Sequence, residues 1–286
     1  MISIIICSIR ESYFDSLKAN IQETIGFSDY EIIKIDNLID KLSITQAYNK
    51  GIEKSKFDYQ LFIHEDIIFH TLNWGEILLS IFRENCRIGL IGIAGAKYKS
   101  LVPSAFWHTE EKMLNINLIQ HYKNKKTSLL YKGFENKNLE EVVVIDGVFI
   151  ALKKSTGVKF NENIKGFHCY DLGISIDTLE KKHLIYVTNQ ILIEHFSIGN
   201  TNLNFLKSVI DFHKLYKKKL PKYIDAKNRS LELFALKSFL SVCLENKYVP
   251  FKLWIFNLIN NPLDKLNYSF IKLVLNKTKN KCQRFQ

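Results

Sequence analysis

The chain has 286 residues, 47% of them hydrophobic, with 20 Phe and 13 Tyr, enough apolar material for one large domain or one domain with a helical appendix. Its five cysteines (Cys7, Cys86, Cys169, Cys243 and Cys282) make no C-x-x-C pair and no regular spacing, which argues against a structural zinc site and a disulfide framework. The net charge of +11 is concentrated late: residues 200–286 hold 17 Lys and Arg against 5 Asp and Glu, and the remainder is close to neutral.

In chain order, Ile2–Cys7 reads as a buried first strand, Ser12–Thr24 as a helix and Tyr30–Ile35 as a second strand ending at Asp36. Ser43 and Gln46 have capping-box spacing. Behind them Ile44, Ala47, Tyr48, Gly51 and Ile52 form one apolar helix face. Phe57–Ile63 is a strand buried on at least one face, and His64-Glu65-Asp66 stands at its carboxyl end, where open α/β sheets bind ligands. Trp74–Asn85 reads as helix and Ile88–Ala94 as strand. Gly89, Gly92 and Gly95 lie inside that strand with the wrong spacing for G-x-G-x-x-G, so a dinucleotide fold is disfavoured.

Residues 96–140 show little periodicity and carry Trp107-His108 and a basic patch, Lys123 to Lys126. A segment of that kind is expected to be functional or mobile. Glu141–Leu152 resumes as strand, broken by Asp146-Gly147. Leu172–Lys182 is helix, Leu184–Val187 strand and Ile191–His195 a short strand. Strands alternating with helices imply βαβ units and a largely parallel sheet. After Asn200 only helical patterns appear, at Phe205–Lys218, Ser230–Glu245, Phe251–Ile259 and Leu263–Leu275. The expected organisation is therefore residues 1–200 plus a basic helical region, 201–286.

Several of these pieces recur together elsewhere. Ala47-Tyr48-Asn49-Lys50-Gly51 on a helix, then an apolar strand ending in His64-Glu65-Asp66, resembles the nucleotide-sugar half of a GT-A glycosyltransferase of the family-2-like type. Val142–Ala151, Phe160-Asn161-Glu162, Gly166–Asp171 and Glu194–Gly199 follow in the order such enzymes use. The resemblance covers roughly residues 1–200.

It implies an α/β fold: a mixed, mostly parallel sheet flanked by helices, with a C-terminal helical region. It also implies transfer of a sugar from a nucleotide diphosphate donor, with UDP expected, to a glycan or lipid-linked hydroxyl, with inversion.

Asp66 takes the final position of the D-x-D metal motif, and His64 stands where the first Asp would be. His64 would then contact the nucleotide, bind the metal poorly, or do neither. His195 matches a late metal-ligating histidine. Hard oxygen ligands suit Mg²⁺ or Mn²⁺, and an imidazole tips the choice toward Mn²⁺. Asp171, opening a helix, matches the general base, with His168 as the alternative, and the helix N-terminus would favour its ionised form. Ser8, Ile9, Asp36, Gln46, Asn49, His64 and Glu65 are the expected nucleotide contacts. Trp107, Asp146 and Gly147 are the expected lining of the sugar or acceptor pocket.

Each has a plainer alternative: a strand-end turn for Asp66, a core histidine for His195, an N-cap for Asp171, a turn aspartate for Asp36, a solvent-facing amide for Asn49, a hairpin turn for Asp146-Gly147 and a core ring for Trp107.

The basic tail suggests an anionic partner. Lys247–Lys252 followed by Leu253-Trp254-Ile255-Phe256 resembles an interfacial helix for an anionic membrane, although packing on the first 200 residues or a dimer contact would use the same side chains. MISIIICSIR enters a strand directly, without a basic leader, and no apolar run reaches membrane-spanning length. The expectation is a cytoplasmic protein, peripheral at the inner face of the membrane.

Two rivals are weaker. A nucleotidyltransferase would carry a glycine-rich loop where Cys7–Glu11 has none. A basic nucleic-acid binder leaves the motif order unexplained, so no nucleic acid is expected. His64 also admits a catalytically inactive relative.

Overall fold

The computed structural model describes residues 1–122, 126–197 and 199–282, with side chains to 276. Lys123–Lys125 of the basic patch and Ile198 of the Glu194–Gly199 motif lie outside the described residues.

The chain runs β1 (Ile2–Ser8), α1 (Glu11–Thr24), β2 (Tyr30–Asp36), α2 (Asn37–Asp40), α3 (Ile44–Lys54), β3 (Tyr59–Ile63), β4 (Ile67–Phe69) and α4 (Trp74–Glu84). Then come β5 (Ile88–Gly92), β6 (Ala94–Ala96), β7 (Tyr98–Lys99), β8 (Leu114–His121), β9 (Thr127–Lys132), β10 (Leu139–Val142), β11 (Val144–Ile145) and β12 (Phe149–Lys153). The remainder is α5 (Tyr170–Glu180), β13 (Leu184–Thr188), β14 (Ile193–His195), α6 (Leu203–Tyr216), β15 (Lys222–Tyr223), α7 (Arg229–Glu245), α8 (Phe251–Asn260) and α9 (Lys265–Cys282).

One sheet has seven strands in the order β10-β13-β5-β12-β3-β1-β2. Five run in one direction; β12 and β10 oppose their neighbours. The expected mixed, mostly parallel sheet flanked by helices is thus the architecture observed. β1 is apolar at most positions because both of its faces are covered. Ile2, Ile4 and Ile6 enter one apolar cluster, and Ile5 enters the other. Leu61 and Ile63 of β3 divide from Phe62 in the same way.

A second sheet has the order β11-β6-β8-β14-β4, with β9 paired to β8. The chain passes between the two sheets several times, and two of these crossings are His64–Asp66, between β3 and β4, and Asp146–Val148, between β11 and β12. Those two crossings bound the site described below.

The segment 96–140 is not irregular. It supplies β7, β8 and β9, with β8 pairing antiparallel to both β6 and β9. Leu114, Ile116 and Leu118 alternate with Asn115 and Asn117, the period of a strand. Asn117 donates its amide to the carbonyls of Asn189 and Ile191, so buried asparagines conceal the pattern by being hydrogen-bonded inside.

On α3 the capping box forms: Gln46 N donates to Ser43 Oγ, and Gln46 Oε1 accepts from Ser43 N. Gln46, an expected nucleotide contact, therefore spends its carbonyl on the cap. Asn49 is buried and clamps the chain at Phe160, donating to Phe160 O at 2.8 Å and accepting from Phe160 N at 2.9 Å. That geometry makes Asn49 a strut rather than a nucleotide contact. Gly51 is small because a Cβ there would come within 2.3 Å of Ile5. The A-x-N-x-G pattern is a packing device.

The helices after residue 200 are continuous with the same core. Leu206, Val209, Phe212 and Tyr216 of α6, and Leu236, Phe239, Leu240 and Cys243 of α7, join the apolar cluster that holds Ile2 and Ile4. β15 also pairs with β7. Trp254, expected at a membrane surface, instead turns inward against Phe270, 5.7 Å between ring centres. The outward face belongs to Phe251, Ile255, Phe256, Ile259 and Leu263. Among the described residues, no helix is long and apolar enough to cross a membrane, and Cys7, Cys86, Cys169 and Cys243 are free thiols.

Candidate active site

His64 and Asp66 lie on the crossing between β3 and β4, and β14 runs antiparallel to β4 with His195 opposite Ile67. Phe196 N donates to Asp66 O at 3.0 Å, so the ladder holds His195 beside Asp66. One ligand atom from each of His64, Asp66 and His195 falls within 4.8 Å of the others. His64 Nδ1 is 3.3 Å from His195 Nε2, which in turn is 3.6 Å from Asp66 Oδ1.

Partners on the far side of each ring set the tautomers. Tyr170 Oη donates to Gly147 O at 3.1 Å, so its contact of 2.7 Å with His64 takes the proton from His64 Nε2. His195 Nδ1 faces Gln120 Oε1 at 3.2 Å, and the Gln120 amide nitrogen is committed to the carbonyls of Ser197 and His121. His195 Nδ1 is therefore the protonated nitrogen. His64 Nδ1 and His195 Nε2 both present lone pairs toward Asp66. Hydrogen-bonded outer partners that fix the ring are the usual support of metal-binding histidines.

Burial, and then His195, pushes His64 down to about 4, so it is neutral. Burial works against the Asp66 carboxylate, but His195, His64 and Arg10 outweigh it and hold the group at about 2. An ionised carboxylate and two unprotonated imidazole nitrogens aimed at one point fit a divalent cation. His64, expected to bind a metal poorly or not at all, is a full member of this cluster.

Glu65 turns the other way. Its buried carboxylate accepts from Ile9 N and Arg10 N, both at 3.1 Å, and from Arg10 Nε at 3.0 Å. Glu65 thus closes the loop after β1 and is not left facing a nucleotide. Arg10, missed in the sequence, also reaches Asp66 Oδ2 at 3.3 Å. Ser8 is buried at the end of β1, directly across from Asp36, and its Oγ has no hydrogen-bond partner. Ile9 is exposed beside it, and Asp36 caps α2 through Leu38 N.

Asp146 accepts from Val148 N at 2.8 Å, and burial raises its pKa. Asp171 opens α5, partly buried. Burial first, then Asp146, raises it to about 7, against backbone amides that include those of Leu172 and Gly147. The helix N-terminus therefore does not keep it fully ionised, as its position alone suggested; desolvation wins. His168 is neutral, its pKa lowered by burial, with its ring edge-on to Phe205 at 5.5 Å. Trp107 stacks one face on the same Phe205 at 5.8 Å and leaves part of its ring in solvent.

Tyr170, Gln120 and Arg10 are the residues that sequence reasoning missed. Tyr170 directly precedes Asp171 and was available to it. Gln120 became legible only once β8 was recognised as a strand.

The sequence matches the family described as "Glycosyltransferase like family" over residues 3–206. The chain belongs to that family. No curated protein sequence matches it. Among solved structures it is similar to a crystal structure of GalNAc-T7 with UDP, GalNAc and Mn²⁺, at 9% identity and a TM-score of 0.49, over 70% of this chain and 44% of that one.

Gly147 is the tightest point of the site, since a Cβ there would lie 2.2 Å from Tyr170 Oη. Gly147→Ala is expected to displace Tyr170, release His64 and cost about 1–3 kcal/mol by overpacking. Urea denaturation would measure that loss, and an unchanged midpoint would show that Tyr170 is not held there.

Proposed function

We propose that this glycosyltransferase-family protein moves a sugar from a nucleoside diphosphate donor, UDP-linked, to a hydroxyl of a glycan or lipid-linked oligosaccharide. Residues 1–200 would carry the chemistry and 201–286 would support it. The observation that carries the reading is the convergence of His64, Asp66 and His195 at the carboxyl end of β3. The unpartnered Ser8 hydroxyl nearby suits a nucleoside, with Asp36 across from it.

His64, Asp66 and His195 would hold the cation, and the two imidazoles favour Mn²⁺ over Mg²⁺. Such a cation would neutralise charge on the departing diphosphate. Tyr170 and Gln120 keep the two imidazole lone pairs pointed inward. Asp171 would take the proton of the acceptor hydroxyl as its oxygen attacks the anomeric carbon from the face opposite the diphosphate, with inversion. A carboxylate with a pKa near 7 suits that work, because it is basic enough to accept the proton and about half ionised at neutral pH.

The purified protein should gain melting temperature with UDP only when Mn²⁺ is present, by mass action on the folded state. Asp66→Ala should lose that gain. A metal-independent shift, or none with any nucleotide, would remove the donor reading and favour an inactive relative.

Turnover should rise with pH through about 7 as Asp171 ionises. Asp171→Asn should lower kcat by roughly 10²–10⁴-fold. The stability sign runs the other way. Because the folded pKa lies above the ordinary carboxylate value, stability is full below that value and falls as pH rises through about 7. The Asn variant should therefore melt higher than the parent above pH 7. An active Asn variant would transfer the role to His168.

We also propose that the tail meets an anionic membrane. Phe251, Ile255, Phe256, Ile259 and Leu263 face outward among the lysines of a strongly basic region. The protein should sediment with vesicles containing anionic lipid and not with neutral ones, and Ile255→Asp/Phe256→Asp should release it. Binding that ignores lipid charge, or a variant that still sediments, would count against this.

A further inference from the structure

Between the 163–168 loop and α6 lies a cleft of about 780 Å³, within the usual range of ligand pockets. Both walls are fixed. Thr45 Oγ1 donates to Ile164 O at 3.1 Å and Ile44 N to Gly166 O at 3.0 Å, which pins the loop to the start of α3. Tyr216 at the end of α6 donates to Asp177 Oδ2 at 2.6 Å and accepts from Asn161 at 3.1 Å. The cleft is thus preformed.

Its lining is apolar at Phe212 and Leu215, neutral and polar at several other positions, and carries three lysines against one carboxylate, Asp211. Lys214 is tied to Asp211 at 2.8 Å, whereas Lys165 and Lys207 have no ion pair among the described residues. His168, which lines the cleft, is three residues before Asp171, and a chain of that length spans at most about 10 Å. Phe205, beside it on α6, carries both the His168 and Trp107 rings. An apolar floor with two unmatched ammonium groups beside aromatic rings is complementary to a sugar that also bears an anion.

We propose that this cleft is the acceptor subsite and that it takes a glycan carrying a phosphate or a carboxylate, held by Lys165 and Lys207. The acceptor role rests on the transferase reading above; the anion site does not. Lys165 and Lys207 position the acceptor while Asp171 acts on its hydroxyl.

The test is titration calorimetry of the full chain, saturated with UDP and Mn²⁺ to fill the donor side. The probes are glucose 1-phosphate, glucuronic acid and methyl glucoside, each to roughly 10 mM. At least one anionic probe should bind and methyl glucoside should not. Lys165→Gln/Lys207→Gln should weaken that binding at least about tenfold, while the UDP-dependent melting shift is kept. Binding of only the phosphate probe, or only the carboxylate probe, would identify the source of the anion.

Equal binding of all three probes, no binding of any, or unchanged binding by the double variant would overturn the proposal. A wild-type protein that binds the anionic probe but shows no UDP shift would instead overturn the transferase reading and leave the anion site standing.

Discussion

Two unprotonated imidazole nitrogens and a carboxylate are forced to face one another between His64, His195 and Asp66, and much of the surrounding structure serves to hold them there. Left to themselves these groups would separate or take up a proton. Partners hold them in place, with Tyr170 behind His64, Gln120 behind His195 and Arg10 beside Asp66, while burial keeps His64 unprotonated. Tyr170 is itself placed by α5 and by the Gly147 carbonyl, and Gln120 by the pairing of β8 with β14. A cation bound there would relieve the crowding, and the energy spent assembling the cluster would return as affinity for the ion.

The same arrangement divides labour within a single tripeptide. His64 and Asp66 face the cluster, while Glu65 between them turns back to secure the loop after β1. The bend at Glu65 and Asp66, between β3 and β4, sends these neighbouring side chains in different directions. Three consecutive residues thus supply both the polar cluster and the brace that holds the neighbouring loop.

The sequence was most legible where a residue type has few uses. The apolar runs of β1 and β3, the capping box at Ser43 and the acidic end of β3 all matched the structure, because each follows from local chemistry. Two kinds of feature were hidden. Strand β8 carried buried asparagines, Asn115 and Asn117, whose hydrogen bonds form only in the tertiary fold, so its alternation looked like noise. Partners across the chain were hidden as well: nothing near His64 in sequence announces Tyr170, and nothing near Asn49 announces Phe160. Asn49 and Glu65 fit the motif and yet their side chains are spent on architecture. The charge state of Asp171 was also misjudged, because a helix start is visible in sequence while the neighbouring Asp146 and the burial around it are not.

The way the tail is attached has a mechanical meaning. Helices α6 and α7 are not hung from the rest by a linker; they complete its core, and β15 is stitched onto β7. A tethered catalytic unit samples many heights above a surface, whereas one bolted to its landing gear keeps a single height. If the outward apolar face of α8 rests on a bilayer, the distance from that surface to Asp171 becomes a fixed ruler. Acceptors would then be selected by how far their hydroxyl stands from the lipid, as well as by their chemistry.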